Sequence, residues 1–189
     1  MKEIVILGGP NVAGKTTAAK KLLPKFPEVQ EFLNADEFAR AIAPDDPESA
    51  AFAAGRKMLD RMQELIASGT SFGIESTLSG RSYIRILENC KRAGWRITIL
   101  YLWLPRVEDA IERVARRVKE GGHGIRPDVI RRRYLSGAKN FVKYYMELAD
   151  ELEVYDNSFK RARIASRTQG SVIAIRDAKR WSKLKRAAR

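Results

Sequence analysis

A chain of 189 residues, 44% hydrophobic and 31% charged, has the balance of a soluble globular protein, and its length suits one domain spanning residues 1–189. No apolar run nears the roughly 20 residues a membrane helix requires, the first strand is expected without a signal peptide ahead of it, and the single Cys90 excludes an internal disulfide framework and fits a reducing cytoplasm. The net charge of +13 favours anionic partners, whether nucleotides, nucleic acid or acidic surfaces, and does not choose among them.

In chain order, "EIVILGG" reads as a buried strand stopped by glycine, followed by a helix from Gly14 to Leu23 that ends at Pro24. "EFLNAD" is a second short strand with a polar end. "PESAAFAAGRKMLDRMQELIASG" carries apolar residues at Met58, Leu59, Met62, Leu65 and Ile66, which is helical spacing, and Gly69 caps it. "SFGIES" is a third strand, "YIRILENCKRAG" a helix, and "RITILYLWLP" a strand apolar enough to be central. Two helices follow, "VEDAIERVARRVKEGG" and "PDVIRRRYLSGAKNFVKYYMELAD", separated by a glycine-rich turn. "LEVYDNS" is a fifth strand, and "ARIASRTQGSVIAIRD" alternates around Gln169-Gly170 as a hairpin does. The end, "KRWSKLKRAAR", has six basic residues and no acid; it reads as a solvated helix with Trp181 and Leu184 packed down, and secondarily as a nucleic-acid patch.

Strands alternating with helices predict an α/β fold with a parallel sheet covered on both faces. Ligands of such sheets bind beyond the carboxyl ends of the strands, so polar residues at those ends become the candidates. "GPNVAGKT", Gly9 to Thr16, matches the P-loop pattern G-x-x-x-x-G-K-[ST] between a strand and a helix. The backbone N–H groups of Gly9, Pro10's successors Asn11, Val12 and Ala13, and Gly14 would wrap phosphate oxygens, with Thr17 closing the segment. Lys15 would reach the β- and γ-phosphates of ATP, and the Thr16 hydroxyl would ligate Mg²⁺.

The P-loop names a donor and leaves the acceptor to other strand ends. Asp36, after the second strand, suits a base that aligns and deprotonates an acceptor hydroxyl; equally, it suits a cap for the helix that follows. Glu75, ending the third strand, suits the ordering of Mg²⁺ or the holding of a substrate hydroxyl. Thr77 suits a substrate contact, or Ser76 and Thr77 a helix cap.

Beyond these, the region of about 113–140 has the make-up of a mobile basic lid, with glycines in "EGGHGIRP" between two helices. The first helix has its stripe at Val107, Ala110, Ile111, Val114 and Val118, leaving Arg116 outward and Arg117 on the flank. The second has its stripe at Ile130, Tyr134, Gly137, Phe141 and Leu148, leaving Arg132 outward and Arg133 on the flank. Flanking arginines can turn toward a cleft and neutralise a transferring phosphoryl group, which favours Arg117 and Arg133, with Arg132 and Arg126 behind them. His123, the only histidine, reads as a turn residue first and a substrate contact second.

Together "GGPNVAGKTT", "FLNADEFA", "SFGIESTLSG", "YLWLP", "RVKEGGHGI", "VIRRRY" with "KNF", and "VYDNS" resemble the zeta-toxin-like family of P-loop kinases. The resemblance implies a nucleoside-monophosphate-kinase-like core with a five-stranded parallel sheet, a helical lid, and a C-terminal β-hairpin and basic helix over about 160–189. It implies ATP and Mg²⁺ as cofactors, Asp36 as the base, and Glu75 and Thr77 in the acceptor pocket. It marks Arg117 and an arginine of "RRRY" as phosphate ligands, and sets Asp156 to Ser158, with Asn157 as the nucleotide contact, near the adenine loop. Members of the family phosphorylate a hydroxyl of UDP-N-acetylglucosamine and are restrained by an antitoxin. The sequence departs from the pattern at Val12, where glycine is frequent, and at Ser76, where threonine is common. The competing function is a nucleic-acid enzyme such as a polynucleotide 5′-hydroxyl kinase, favoured by the charge; no interleaving of aromatic and basic residues on the strands supports base stacking.

Overall fold

The computed structural model describes residues 1–168 and 171–188. The elements run β1 (Glu3–Gly8), α1 (Lys15–Leu22), β2 (Glu31–Asn34), α2 (Ala35–Ile42), α3 (Ala51–Ser68), β3 (Phe72–Ser76), α4 (Ser82–Arg92), β4 (Arg96–Trp103), α5 (Val107–Lys119), α6 (Pro127–Asn140), α7 (Met146–Leu148), β5 (Glu151–Asp156), β6 (Ala162–Arg167), β7 (Ala174–Ile175) and α8 (Ala178–Ala187). They form a P-loop α/β fold around one sheet of order β2-β3-β1-β4-β5-β6-β7. The first five strands in that order are parallel; β6 and β7 add on antiparallel at the β5 edge, the expected hairpin. Its anticipated turn at Gln169-Gly170 lies outside the described residues.

The parallel strands are apolar on both faces because both faces are covered. Ile4 and Ile6 of β1 join a core with Met58 and Met62 of α3, Leu87 of α4 and Phe141. Val5 and Leu7, alternating with them, pack against Ala18 and Leu22 of α1, Val114 of α5, and Tyr134 of α6. β4 sits in the middle of the seven strands and is buried from Ile97 to Trp103, as its composition predicts.

Two details differ from the sequence reading. The long second helix of the pair is not uniform: a π-helical turn, Phe141–Tyr145, separates α6 from α7. Val118 is exposed although it continues the α5 stripe; it lies in the last turn of the helix. As expected, α1 ends ahead of Pro24, at Leu22, and Pro24 sits in a following 3₁₀ turn, Leu23–Lys25, where its missing N–H is not needed. The C-terminal helix behaves as expected, with Trp181 and Leu184 buried and its basic residues outside.

Candidate functional site

Three strand ends meet at one cavity. The P-loop leaves β1, the segment of residues 76–81 leaves β3, and α2 leaves β2; the parallel order puts all three at the carboxyl edge of the sheet. The cavity holds about 590 Å³. Its walls include Lys15, Asp36, Glu75, Thr77, Arg117 and Arg133. These six residues, singled out from separate stretches of sequence, therefore share one chamber.

The P-loop is shaped by two glycines. Gly14 has φ 81° at the N-cap of α1, and a Cβ on Gly9 would lie 2.2 Å from the Leu102 carbonyl oxygen of β4. Val12 has φ 50°, a left-handed backbone that a β-branched residue rarely adopts. That is the physical meaning of the departure from glycine at this position. Asn157 reaches the loop from outside the cavity, its Nδ2 donating to the Ala13 carbonyl at 2.7 Å. Arg113 of α5 donates to the Val12 carbonyl at 3.3 Å and to the Asn157 and Ser158 carbonyls at 2.9 and 2.5 Å, pinning the P-loop to the end of β5.

Lys15 and Glu75 form the centre. Lys15 Nζ donates to the Pro10 carbonyl at 2.9 Å and lies 3.8 Å from Glu75, with both side chains less than a tenth exposed. Glu75 also accepts from Thr16 Oγ1 at 2.9 Å and from Asn34 Nδ2 at 3.3 Å. Burial lowers the Lys15 amine and raises the Glu75 carboxyl, each shift opposed by the other charge. Thr16 and Glu75 present a hydroxyl and a carboxylate side by side, a hard-oxygen pair. Among the described residues there is no cluster of three or more His, Cys, Asp or Glu that could hold a metal alone. The pair thus fits Mg²⁺ that keeps waters and substrate phosphates as its other ligands, and does not fit a metal caged by protein.

Asp36 is exposed on the first turn of α2. The helix is capped by Asn34, whose side chain accepts the Asp36 N–H at 2.9 Å, so the capping role considered for Asp36 is already filled. Likewise neither Ser76 nor Thr77 caps α4, which begins at Ser82; Ser76 Oγ accepts the Leu78 N–H, and Thr77 pairs with Ser79. The segment after β3 is held from behind by α6. Asn140, buried, donates to the Leu78 and Ser79 carbonyls at 2.9 and 3.0 Å, and Tyr145 to that of Gly80 at 3.2 Å.

From above come the arginines. Arg117 donates to the His123 carbonyl at 2.7 Å, folding the turn of residues 120–126 over the cavity. Its Nε, and Oδ1 of Asn11, which lines the same cavity, are buried without a hydrogen-bond partner. Such atoms cost free energy unless a ligand completes them. Arg133 lines the cavity, whereas Arg132, one residue and about 100° away on the helix, is exposed and does not. That removes Arg132 from the cavity wall. Arg126 pairs with Asp128 at the surface. Thr17 is exposed and lies outside the cavity lining.

Sequence reasoning missed Arg113, Asn34 and Asn140. Arg113 was legible: it lies four residues before Arg117 on the same flank of α5. Asn34 was too, since Asn34 and Glu37 have capping-box spacing. Asn140 had no signal, because its partners are carbonyls some sixty residues away.

A family model described as an AAA domain matches residues 4–126. The chain belongs to that AAA-domain family. A relative of this AAA domain in Haemophilus influenzae, an uncharacterized protein, is 36% identical over 128 residues, covering 67% of this chain and 88% of the relative. Among solved structures, the AvrRxo1-ORF1:-ORF2 complex with ATP is similar with a TM-score of 0.72 and 18% identity, over 97% of this chain and 63% of that one. The chain therefore spans less than two thirds of that structure's length. The PezAT toxin–antitoxin system of Streptococcus pneumoniae gives 0.61 and 15%, over 99% and 86%. Shikimate kinase from Bacteroides thetaiotaomicron gives 0.50 and 15%, over 98% and 95%. At these identities the likeness is one of fold: a P-loop, kinase-like α/β architecture. No helix among the described residues is long and apolar enough to cross a membrane.

Proposed function

We propose that the chain is a small-molecule kinase that moves the γ-phosphoryl group of ATP to an alcohol hydroxyl, with a nucleotide sugar such as UDP-N-acetylglucosamine as acceptor. The observation that carries this reading is the meeting of Lys15, Asp36, Glu75, Arg117 and Arg133 around one cavity. In this reading residues 1–189 act as one kinase domain in the cytoplasm, with a lid over about 113–140. An antitoxin partner belongs to the same reading.

The P-loop N–H groups and Lys15 hold the triphosphate, and Lys15 exchanges the Pro10 carbonyl for phosphate oxygens. Thr16 and Glu75 would hold Mg²⁺, which would supply charge neutralisation to the triphosphate. The acceptor hydroxyl forms its bond to the γ-phosphorus as the bond to the β–γ bridging oxygen breaks; ADP leaves, and the hydroxyl proton passes to Asp36. Arg117 and Arg133 balance the charge on the oxygens in flight. The turn of residues 120–126, closed by Arg117, excludes water that would otherwise hydrolyse ATP.

A second reading, a polynucleotide 5′-hydroxyl kinase, is favoured by one observation. Residues 159–188 contain ten Lys or Arg against the single acid Asp177. Incubation with γ-labelled ATP, a panel of nucleotide sugars and short oligonucleotides separates the two. Label on a nucleotide sugar, lost in Lys15→Ala, supports the first. Label on an oligonucleotide 5′ end supports the second. Turnover unchanged in Lys15→Ala would remove the P-loop from the mechanism.

A further inference from the structure

Arg113 is not part of the cavity wall, yet it reaches the P-loop. Residues 10–13 of that loop make a turn, closed by the Ala13 N–H, which donates to the Pro10 carbonyl at 3.2 Å. Val12 is the third residue of the turn and has φ 50°. Glycine or asparagine takes such a position at little cost, whereas a β-branched side chain is strained there. The turn therefore needs support from outside itself.

That support is a brace on two successive carbonyls. Arg113 Nη1 donates to the Val12 carbonyl at 3.3 Å, and Asn157 Nδ2 donates to the Ala13 carbonyl at 2.7 Å. Arg113 Nη2 then holds the main chain of the second brace, donating to the Asn157 and Ser158 carbonyls. In a planar trans peptide the C=O of one residue and the N–H of the next point in opposite directions. Holding the Val12 carbonyl thus fixes the Ala13 N–H that closes the turn. Holding the Ala13 carbonyl turns the Gly14 N–H away from Asn157 and leaves it for an anion. A guanidinium suits the task because its donors form a rigid fork, which an ammonium does not have.

We infer that Arg113 is a positioning residue for the phosphates of the donor nucleotide: it holds the strained Val12 turn, so that the cradle is formed before the ligand arrives. Donors already in place spare the ordering cost of binding. This rests on the P-loop as a phosphate cradle, which both kinase readings share. It also accounts for valine at a position where glycine is frequent, since the brace from α5 offsets the strain that glycine would avoid.

Calorimetric titration of the full chain tests it, with ATP and with inorganic tripolyphosphate, each with Mg²⁺. Tripolyphosphate has the phosphates and no nucleoside. Wild type is expected to bind both. Arg113→Gln is expected to weaken both by roughly tenfold or more, and by similar factors. Made in a Val12→Gly chain, the same change is expected to cost about threefold or less, because glycine adopts the turn unaided. General loss of structure would weaken binding in both backgrounds alike. Arg113→Lys, which keeps the charge and loses the fork, carries the same comparison if the glutamine variant does not fold. An equal loss in both backgrounds, or no loss in either, would overturn the inference. So would weakening of ATP alone, which would mean that Arg113 touches the nucleoside, and so would wild type that binds ATP but not tripolyphosphate. Failure of the P-loop reading shows separately, as wild type that binds neither ligand.

Discussion

Asn34 caps α2 by accepting the N–H of Asp36 at 2.9 Å, and this one bond separates two jobs that the sequence left on a single residue. The cap is neutral and nearly buried; the carboxylate beside it is exposed to the cavity. Asp36→Asn is therefore expected to cut phosphoryl transfer on the order of a hundredfold or more, with ATP affinity and Tm close to wild type. Asn34→Ala is expected to cost about 1 kcal/mol of stability. Steady-state kinetics alongside thermal melts of both variants check this; a Tm loss without a rate loss in Asp36→Asn would return the carboxylate to a structural role.

Arg117 holds the turn over the cavity and leaves its Nε without a partner. If it answers charge that develops in the transition state, Arg117→Ala lowers kcat by more than it weakens ATP binding. Single-turnover transfer and equilibrium ATP binding, measured on the same protein, give the two numbers.

α6 carries Arg133 and also clamps the segment after β3. A Cβ at Gly137 would lie 2.4 Å from the Thr77 carbonyl oxygen. Gly137→Ala is expected to destabilise by about 1–3 kcal/mol and to raise the acceptor KM more than the ATP KM, because the displaced wall holds Thr77. Denaturant titration and a two-substrate kinetic analysis read these out. Asn140→Ala, which strips the donor from two carbonyls, is expected to move both quantities in the same direction.

The edge strand β2 is tied to α3 by Arg61, which grips both carboxylate oxygens of Glu31. The Arg61 hydrogen bonds hold Glu31 below the usual carboxylate range. A depressed carboxylate stabilises the fold above its unfolded value of about 4.3 and loses that contribution as pH falls through the folded value. Both side chains are about a third or more exposed, so the effect is small. Glu31→Gln is expected to melt slightly earlier than wild type near neutral pH, with the gap closing in strong acid. A gap that persists in strong acid, with the carboxyl protonated in both folded and unfolded protein, would mean the pair acts through shape and not through charge.

By itself the sequence determined the α/β class, the P-loop and the strand-end position of Asp36 and Glu75. These follow from local periodicity and from the rule that polar residues at strand ends face the ligand edge. The flank argument on α5 and α6 found Arg117 and Arg133 because helix geometry fixes which residues turn toward a cleft. The same geometry leaves Arg132 outward, about 100° round from Arg133, and it lies off the cavity although the sequence admits it as a substrate candidate behind Arg133. Only the tertiary structure decided which residue caps α2, since Asn34 and Asp36 are both good caps and the choice depends on where β2 ends. Only it could bring Asn140 behind the segment after β3 and Arg113 against the P-loop. Those relationships join segments tens of residues apart, and no local propensity encodes them. They are set by the strand order β2-β3-β1-β4-β5, which brings the start of α2, the end of β3 and the P-loop to one edge of the sheet.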